Sequence, residues 1–347
     1  MVGLPEHGHE PVMVAEVLGL LGLEGDGART AGLGRKGGRR IFMDCTVGRG
    51  GHALRIAQAL AASPEGGTLV ALDVDPENLK YARKRIREAL GGGTPEEDTK
   101  LAGGKVELRT FHANFGEAGD VLDALGLPAG EGVDGLLADF GVSTNQLLDA
   151  KHGLSFNAEL PLDMRLDPRI KESAADIVRA WDEEDLAGIL HEYAQERFAR
   201  RIARKIVQTR ASEPILTTGQ LARLVRSVVP PSRHKAGGAG IDPATRTFQA
   251  LRMAVNNELE VIEDLLHAVP VLMGQGGRAV FISFHSGEDR LVKQAVREWE
   301  EAGSAASLTK KPLEPGEEEQ NRNPRSRSAK VRAVEWKAPP ANASATP

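Results

Sequence analysis

The sequence has a single cysteine, Cys45, in 347 residues. An internal disulfide is therefore excluded, and nothing around Cys45 has the spacing of a zinc site; a reducing compartment suits such a chain. No apolar run reaches the length of a membrane span. Residues 1–12 carry Pro5, Glu6 and Glu10 and no apolar core, so no signal peptide is expected. The protein is expected to be soluble and cytoplasmic, with no membrane partner. Internal repeats are lacking too. So is any overall basic excess: the net charge of -5, taken alone, argues against a nucleic-acid partner. With 41% hydrophobic residues the chain can bury a sizeable core, as one large domain with an insertion or as two modest ones.

Short apolar runs at 41–43, 68–72 and 133–138 each end in a carboxylate, Asp44, Asp73 and Asp139 respectively. Such runs read as buried parallel strands. A further strand is expected over 106–110. Helical patterns lie between them, at 52–61 and at 76–90, the latter opening with Pro76 and stopping before Gly91. Alternating strand and helix predicts a doubly wound α/β sheet. Later runs at 279–284, preceded by Gly276-Gly277, and at 331–336, after a helix over 289–300, would complete it. Between the two parts, residues 147–245 show almost no β-branched alternation but several amphipathic stretches, including 184–193, 197–208 and 219–229. This region reads as a helical insertion. Segments 22–38, 91–104 and 303–323 read as surface loops, and the tail from 338 as disordered.

Gly48-Arg49-Gly50-Gly51-His52-Ala53 follows the first strand and opens a helix. Small residues there let the backbone turn sharply and approach a ligand. Asp73, at the end of the next strand, is placed to accept hydrogen bonds from the ribose hydroxyls of an adenosine. Together these features indicate an adenosine-containing ligand without distinguishing a dinucleotide from S-adenosylmethionine. The plain alternative is a tight turn with Asp73 capping the next helix. His52 either touches the ligand or fills the turn. Phe115 stands after the 106–110 strand, where an aromatic ring can stack on adenine or simply join the core. Asp139, followed by Phe140-Gly141, closes a strand at the crevice where such sheets bind ligands.

Residues 197–252 hold 12 Lys and Arg against Glu213 and Asp242, about +10 inside an acidic protein. On the 197–208 helix, Phe198, Ile202 and Ile206 recur every fourth residue and leave Arg200, Arg201 and Arg204 outward. Such a segment suits phosphate binding, although acidic residues elsewhere would neutralise a merely solvated face.

Several blocks in order resemble one family. They are His9-Glu10-Pro11-Val12-Met13, residues 44–52 and 138–144, Gly153-Leu154-Ser155-Phe156, Pro161-Leu162-Asp163-Met164-Arg165, and 196–203. Residues 243–252, Ile282-Ser283-Phe284-His285-Ser286 and Asn323-Pro324-Arg325-Ser326-Arg327-Ser328 follow. The chain resembles, over most of its length, the bacterial 16S rRNA cytosine N4-methyltransferases known as RsmH or MraW. The resemblance implies S-adenosylmethionine as cofactor and N4-methylation of a cytidine in the decoding region of 16S rRNA. It implies a Rossmann-like methyltransferase sheet from 1–146 and 247–337 with an all-helical RNA-recognition domain inserted at 147–246. Positions matching the family's cofactor site are Gly50, Gly51, His52, Asp73, Phe115, Asp139 and Gln146. Candidate RNA contacts are Arg200, Arg201 and Arg204, and further Asp163, Arg165, Arg246, Arg252 and His285, the last five of which can equally serve in a structural ion pair. Val47, Phe140, Thr144 and Gly287 depart from the family's usual residues and bear on loop shape and RNA contacts.

Methyl transfer from a sulfonium is an in-line displacement, so alignment of the amine and exclusion of water come first. Asp139 is the candidate acceptor for an amine hydrogen, alongside a purely cofactor-binding role. The target base would leave its stack to enter the pocket while the basic insertion holds flanking phosphates. The partner is then 16S rRNA, free or in the small ribosomal subunit. Oligomeric state stays open, a homodimer included. A nicotinamide-dependent dehydrogenase shares the glycine loop and Asp73 but has no use for the basic segment, and a non-catalytic ribosome assembly factor is a third reading.

Overall fold

Apolar runs without polar alternation become strands covered on both faces. In a computed structural model, which describes residues 11–23, 39–91, 99–127, 131–156, 159–230 and 242–337, the strands are β1 (Arg40–Asp44), β2 (Gly67–Asp73), β3 (Thr99–Leu101), β4 (Val106–His112), β5 (Val133–Asp139), β6 (Met273–Ser283), β7 (Ala305–Ser307) and β8 (Lys330–Trp336). They form one sheet in the order β3-β4-β2-β1-β5-β6-β8-β7. Strands β4, β2, β1, β5 and β6 run parallel. The pairs β3–β4, β6–β8 and β7–β8 are antiparallel. From β1 the chain moves outward to β2 and β4, then returns to the other side of β1 as β5. That reversal makes the β1/β5 boundary a topological switch point, with its crevice at the carboxyl ends of the strands.

The helices are α1 (Val14–Leu20), α2 (Gly51–Ala62), α3 (Pro76–Leu90), α4 (Ala118–Leu125), α5 (Thr144–Leu148), α6 (Ala174–Ala180), α7 (Glu183–Glu192), α8 (Ala199–Arg210), α9 (Thr218–Val228), α10 (Ala244–Val255), α11 (Glu258–Leu272), α12 (Ser286–Glu301) and α13 (Glu317–Arg322). Their ends follow local chemistry. Helix α3 begins where the Asp75 carboxylate accepts from Glu77 N at 3.0 Å with Pro76 in the first turn, and it stops at Gly91 with φ 65°. Among the described residues no helix is long and apolar enough to cross a membrane.

The chain packs as two compact units, Met1–Gly141 with Glu260–Pro347, and Val142–Leu259. In the first, Phe42, Leu69, Leu137, Val280, Ile282 and Val331 from the sheet pack with Val17, Ile56 and Leu60 from α1 and α2. The second has its own core, including Ile177, Leu186, Ile202, Ile206, Leu221, Val225 and Leu251. Among its described residues it has helices and one isolated bridge, Pro161 to Thr217, but no strand. Its limits are wider than 147–246. Helix α10 belongs to it because Phe248 and Leu251 join its core and Asn256 holds the 164–166 segment, accepting from Leu166 N at 2.9 Å and donating to Met164 O at 2.8 Å.

Two segments expected as loops carry short elements. Residues 91–104 include β3, and 303–323 include β7 and α13. Leu101 and Ala305 are buried by pairing at opposite ends of the sheet, and runs this short show no periodicity to read. Strand β6 starts at Met273 rather than at 279. It takes Gly276 and Gly277 into the strand, opposite a register irregularity between Val133 and Gly135. The parts of the expected loops at 24–38 and 92–98, and the tail 338–347, lie outside the described residues.

Gly135 on β5 is in register with Phe42 on β1, and a Cβ at 135 would run into the Phe42 ring and reach 3.3 Å from Leu21 Cδ2. Both neighbours are buried. Gly135→Ala is therefore expected to cost about 1–3 kcal/mol through overpacking, seen as a lower melting temperature; an unchanged melt would show that the ring has room to move.

Candidate active site

Loop 45–50 joins β1 to α2, and its shape needs glycine at two places. Gly48 (φ 51°) and Gly50 (φ 74°) are left-handed, a region that side chains disfavour. A Cβ on Gly50 would also lie 3.1 Å from Ala82 Cβ on α3, and one on Gly51 would lie 2.9 Å from Pro11 Cβ. The loop is fastened to the next strand: Val47 N donates to Leu72 O at 2.9 Å, and Gly48 N donates to Asp73 Oδ2 at 2.8 Å. Asp73 Oδ1 accepts from Asp75 N (2.8 Å) and Asn78 Nδ2 (3.3 Å). Asp73 thus organises the glycine loop, while Asp75 caps α3. A carboxylate offers about four acceptor positions, so Asp73 keeps capacity for ribose hydroxyls.

Asp44, Asp73 and Asp139 close three adjacent strands, β1, β2 and β5. Asp44 accepts from Thr46 N at 3.1 Å, and Thr46 Oγ1 accepts from Asp139 N at 2.7 Å. Burial pushes Asp44 up to about 7, against the hydrogen bond from Thr46 and with help from Asp73. Burial likewise raises Asp73 to about 6, opposed by its backbone donors. Asp139 is raised well above the usual carboxylate range by burial, then by the charges of Asp44 and Glu288. Its Oδ1 is buried with no hydrogen-bond partner among the described residues. The side chain facing it is His52: Nε2 lies 2.8 Å from Val12 O, and Nδ1 lies 3.7 Å from Asp139 Oδ2. With Nε2 donating to the carbonyl, the neutral ring turns Nδ1 toward the carboxylate.

Phe115 opens a short turn after β4, fixed by Asn114 and Glu117 as a capping box. Its ring is 5.6 Å from that of Phe140, which stacks on Phe281 at 6.3 Å. Beside β5, the end of β6 leads into α12, where His285 Nδ1 accepts from Gly287 N and Glu288 N. The buried Glu288 answers by accepting from Phe284 N at 2.7 Å, and its Oε1 lies 3.0 Å from His285 Nε2. His285 is thus a helix cap. Sequence reading passed over Asp44, Thr46 and Glu288 as site residues. Asp44 carried a signal, the recurrence of carboxylates at strand ends; Glu288 carried only a capping spacing hidden by the unusual histidine cap.

The remaining candidates lie in the second unit. Gln146 caps α5, accepting from Ser143 N at 2.9 Å while its own N–H meets Ser143 Oγ at 3.2 Å. Asp163 and Arg165 grip each other in a bidentate pair at 2.7 and 2.8 Å. Arg252 does the same with Glu258 at 2.6 and 2.8 Å. Arg246 is exposed and donates to Gln195 O at 3.3 Å. Helix α8 buries Ile202 and Ile206 and leaves Arg200, Arg201 and Arg204 exposed. Arg204 pairs with Glu183 at 3.2 Å, and Arg201 lies over the Phe198 ring. Glu159, Glu183 and Glu258 offset part of the +10 counted in sequence. Arg233 and Lys235 lie outside the described residues.

Asp44 also sets a pH test. An acid whose pKa is higher folded than unfolded costs stability as it ionises, so its contribution falls as pH rises from about 4 toward 7. Asp44→Asn keeps an acceptor for Thr46 N and loses the charge. The variant is expected to melt above the parent at pH 8 and level with it near pH 4; a gap independent of pH would contradict the buried charge.

The buried Asp44 and Asp73 and the part-buried Asp139, whose Oδ1 has no partner among the described residues, thus stand beside a left-handed glycine loop. S-adenosylmethionine, with its sulfonium and ammonium, fits that donor set as the cofactor. Comparison with known proteins places the chain more closely. It is 44% identical over 332 residues, covering 95% of this chain and 98% of the relative, to "Ribosomal RNA small subunit methyltransferase H" of Acidobacterium capsulatum. A protein of the same name from Koribacter versatilis is 40% identical over 96% of this chain and 95% of its own length. Among solved structures, a putative methyltransferase of Streptococcus mutans in complex with SAH is similar over 94% of this chain and 99% of its own, with a TM-score of 0.40 and 8% identity, too distant to add to the argument. The family model described as the MraW methylase family matches residues 6–337, and the chain belongs to that family.

Proposed function

We propose that this methylase transfers the methyl group of S-adenosylmethionine to the exocyclic N4 amine of a cytidine in the decoding region of small-subunit 16S rRNA, in the cytoplasm. The observation that carries the chemistry is Asp139, a part-buried carboxylate whose Oδ1 is buried and unpartnered among the described residues, at the strand-end switch point. Support for the target comes from the names of relatives at 40–44% identity and from the ordered family blocks.

The bound cofactor supplies an electrophilic methyl carbon on a positively charged sulfur. Gly50, Gly51 and His52 shape the loop against it, Asp73 accepts from the ribose hydroxyls, and Phe115 packs beside the adenine. The cytosine amine is a weak nucleophile because its lone pair is delocalised into the ring. A hydrogen bond from that amine to Asp139 Oδ1 localises the pair on nitrogen. Asp139 would be the acceptor for the proton that the amine gives up on methylation. Burial raises its affinity for a proton, and a neighbouring cation would favour its ionised form.

Small ribosomal subunits lacking the modification, incubated with labelled S-adenosylmethionine, are expected to take up label on one cytidine of the decoding region, with free 16S rRNA run beside them. Asp139→Asn should lower that rate by about 10²–10⁴-fold, the usual share of a positioned base. Label on another base, or none, would overturn the proposal.

Helix α8 is proposed to hold RNA phosphates through Arg200, Arg201 and Arg204, with Arg246 elsewhere in the same unit. The Arg204–Glu183 pair is exposed and worth little, so phosphate can displace it. Replacing the three α8 arginines with glutamine should reduce the slope of log affinity against log salt by about 2 for single-stranded RNA; an unaltered slope would remove this helix from the interface.

A further inference from the structure

The Asn323-Pro-Arg-Ser-Arg-Ser block is left unused by the chemistry above. Pro324–Ser328 forms a 3₁₀ turn, and three residues per turn put every third side chain on one edge. Asn323, Ser326 and Ala329 are buried, whereas Arg322, Arg325 and Arg327 are exposed. The inward edge is locked: Ser326 N and Oγ both donate to Asn323 O, at 2.9 and 2.8 Å, and Ala329 N donates to Ser326 O at 2.7 Å. With Lys330, the stretch 321–330 holds four basic residues and no acidic one.

Its position follows from two independent observations within the first unit. Strand β8 runs antiparallel to β6 with Lys330 opposite Ser283, the last residue of β6. Asp139 ends β5 opposite Ile282, so the turn leading into β8 emerges at the carboxyl edge of the sheet. From the other direction, Glu319 Oε1 accepts from Met13 N at 2.8 Å, and the neighbouring Val12 carbonyl binds His52. Pro11 lies against Gly51. Glu319 is thereby turned inward, onto the segment that covers the glycine loop.

We infer that the 322–330 turn is a second RNA-backbone contact, a rigid arginine rim that takes phosphodiesters at the mouth of the methyl-transfer site. The inference rests on the proposed rRNA substrate. Arginine suits the task because its planar fork matches phosphate oxygens. A locked turn also presents the guanidinium groups at little ordering cost. The rim acts where the target nucleotide enters, so its loss weakens RNA binding and leaves the cofactor alone.

The test is Arg325→Gln/Arg327→Gln in the full chain, with Arg327→Lys as the charge-conserving control. RNA affinity is measured against salt, cofactor affinity by calorimetry, and folding by thermal melt. The double variant is expected to lose about 1.4 from the log–log salt slope, two contacts at about 0.7 each, with cofactor affinity unchanged and Arg327→Lys keeping the parent slope. A parental slope in the double variant would overturn the rim while leaving the methyltransferase reading intact. Should the double variant melt early, Arg327→Gln alone decides, with a loss of about 0.7 expected and none counting against the rim. A parent that binds and labels no small-subunit RNA would remove the proposed function, and the rim with it.

Discussion

Carboxyl groups held out of water at the carboxyl ends of β1, β2 and β5 are the constraint on which the first unit depends. Burying a carboxylate is costly unless it is hydrogen-bonded, paired or protonated, and the three aspartates meet that cost differently. Asp73 takes backbone and amide donors, Asp44 takes one backbone donor, and Asp139 leaves Oδ1 unpaired. The gradient runs from the loop-forming acid to the one at the switch point. The Gly48 N–H that satisfies Asp73 also shapes the glycine loop, while Asp75 N and Asn78 Nδ2 tie the same carboxylate to the start of α3. Asp139 differs because no described residue supplies a donor to its Oδ1.

The second unit handles charge in the opposite way. Its arginines are numerous, and several are tied to carboxylates: Arg165 to Asp163, Arg252 to Glu258, Arg226 to Asp242. Half-buried bidentate pairs such as Arg252 with Glu258 fix the ends of helices and are poor candidates to release their partner. Exposed cations such as Arg200 and Arg201 cost little to present. Charge count alone therefore overstates the surface open to phosphate. The useful distinction among these arginines is geometric, between a fork already filled by a carboxylate and one facing solvent.

Much of the first unit was legible in sequence because its signals are local. Helix α3 matches its reading at both ends, since Asp75, Pro76 and Gly91 each act on their own turn. Strands ending in carboxylates pointed to the crevice. Where reading failed, the cause was non-local. Strands β3 and β7 have three residues each and exist only because a neighbour supplies pairing. Helix α10 joins the helical unit because of what Phe248 and Asn256 touch, which its own pattern does not reveal. That His285 caps α12 was not legible either, because histidine seldom fills that place and its acceptor role depends on Glu288.

The same comparison explains why a cofactor is easier to infer than a target. A ligand gripped by a loop and two strand ends leaves its requirements within short stretches of sequence: glycines where φ is positive, an acid where a strand stops. A nucleic-acid backbone is held by cations that come from separate segments, and any one of them has an equally good use in an ion pair. Asp139 belongs to both problems. Its ionisation is disfavoured by burial and by the charges of Asp44 and Glu288, and its Oδ1 has no partner among the described residues, so a cation and a hydrogen-bond donor would each relieve part of that cost. A hydride-transfer site has no need of an acid so placed, since an ionised carboxylate with nothing to accept from is a cost without a return. A sulfonium beside an amine would satisfy both halves of that requirement at once.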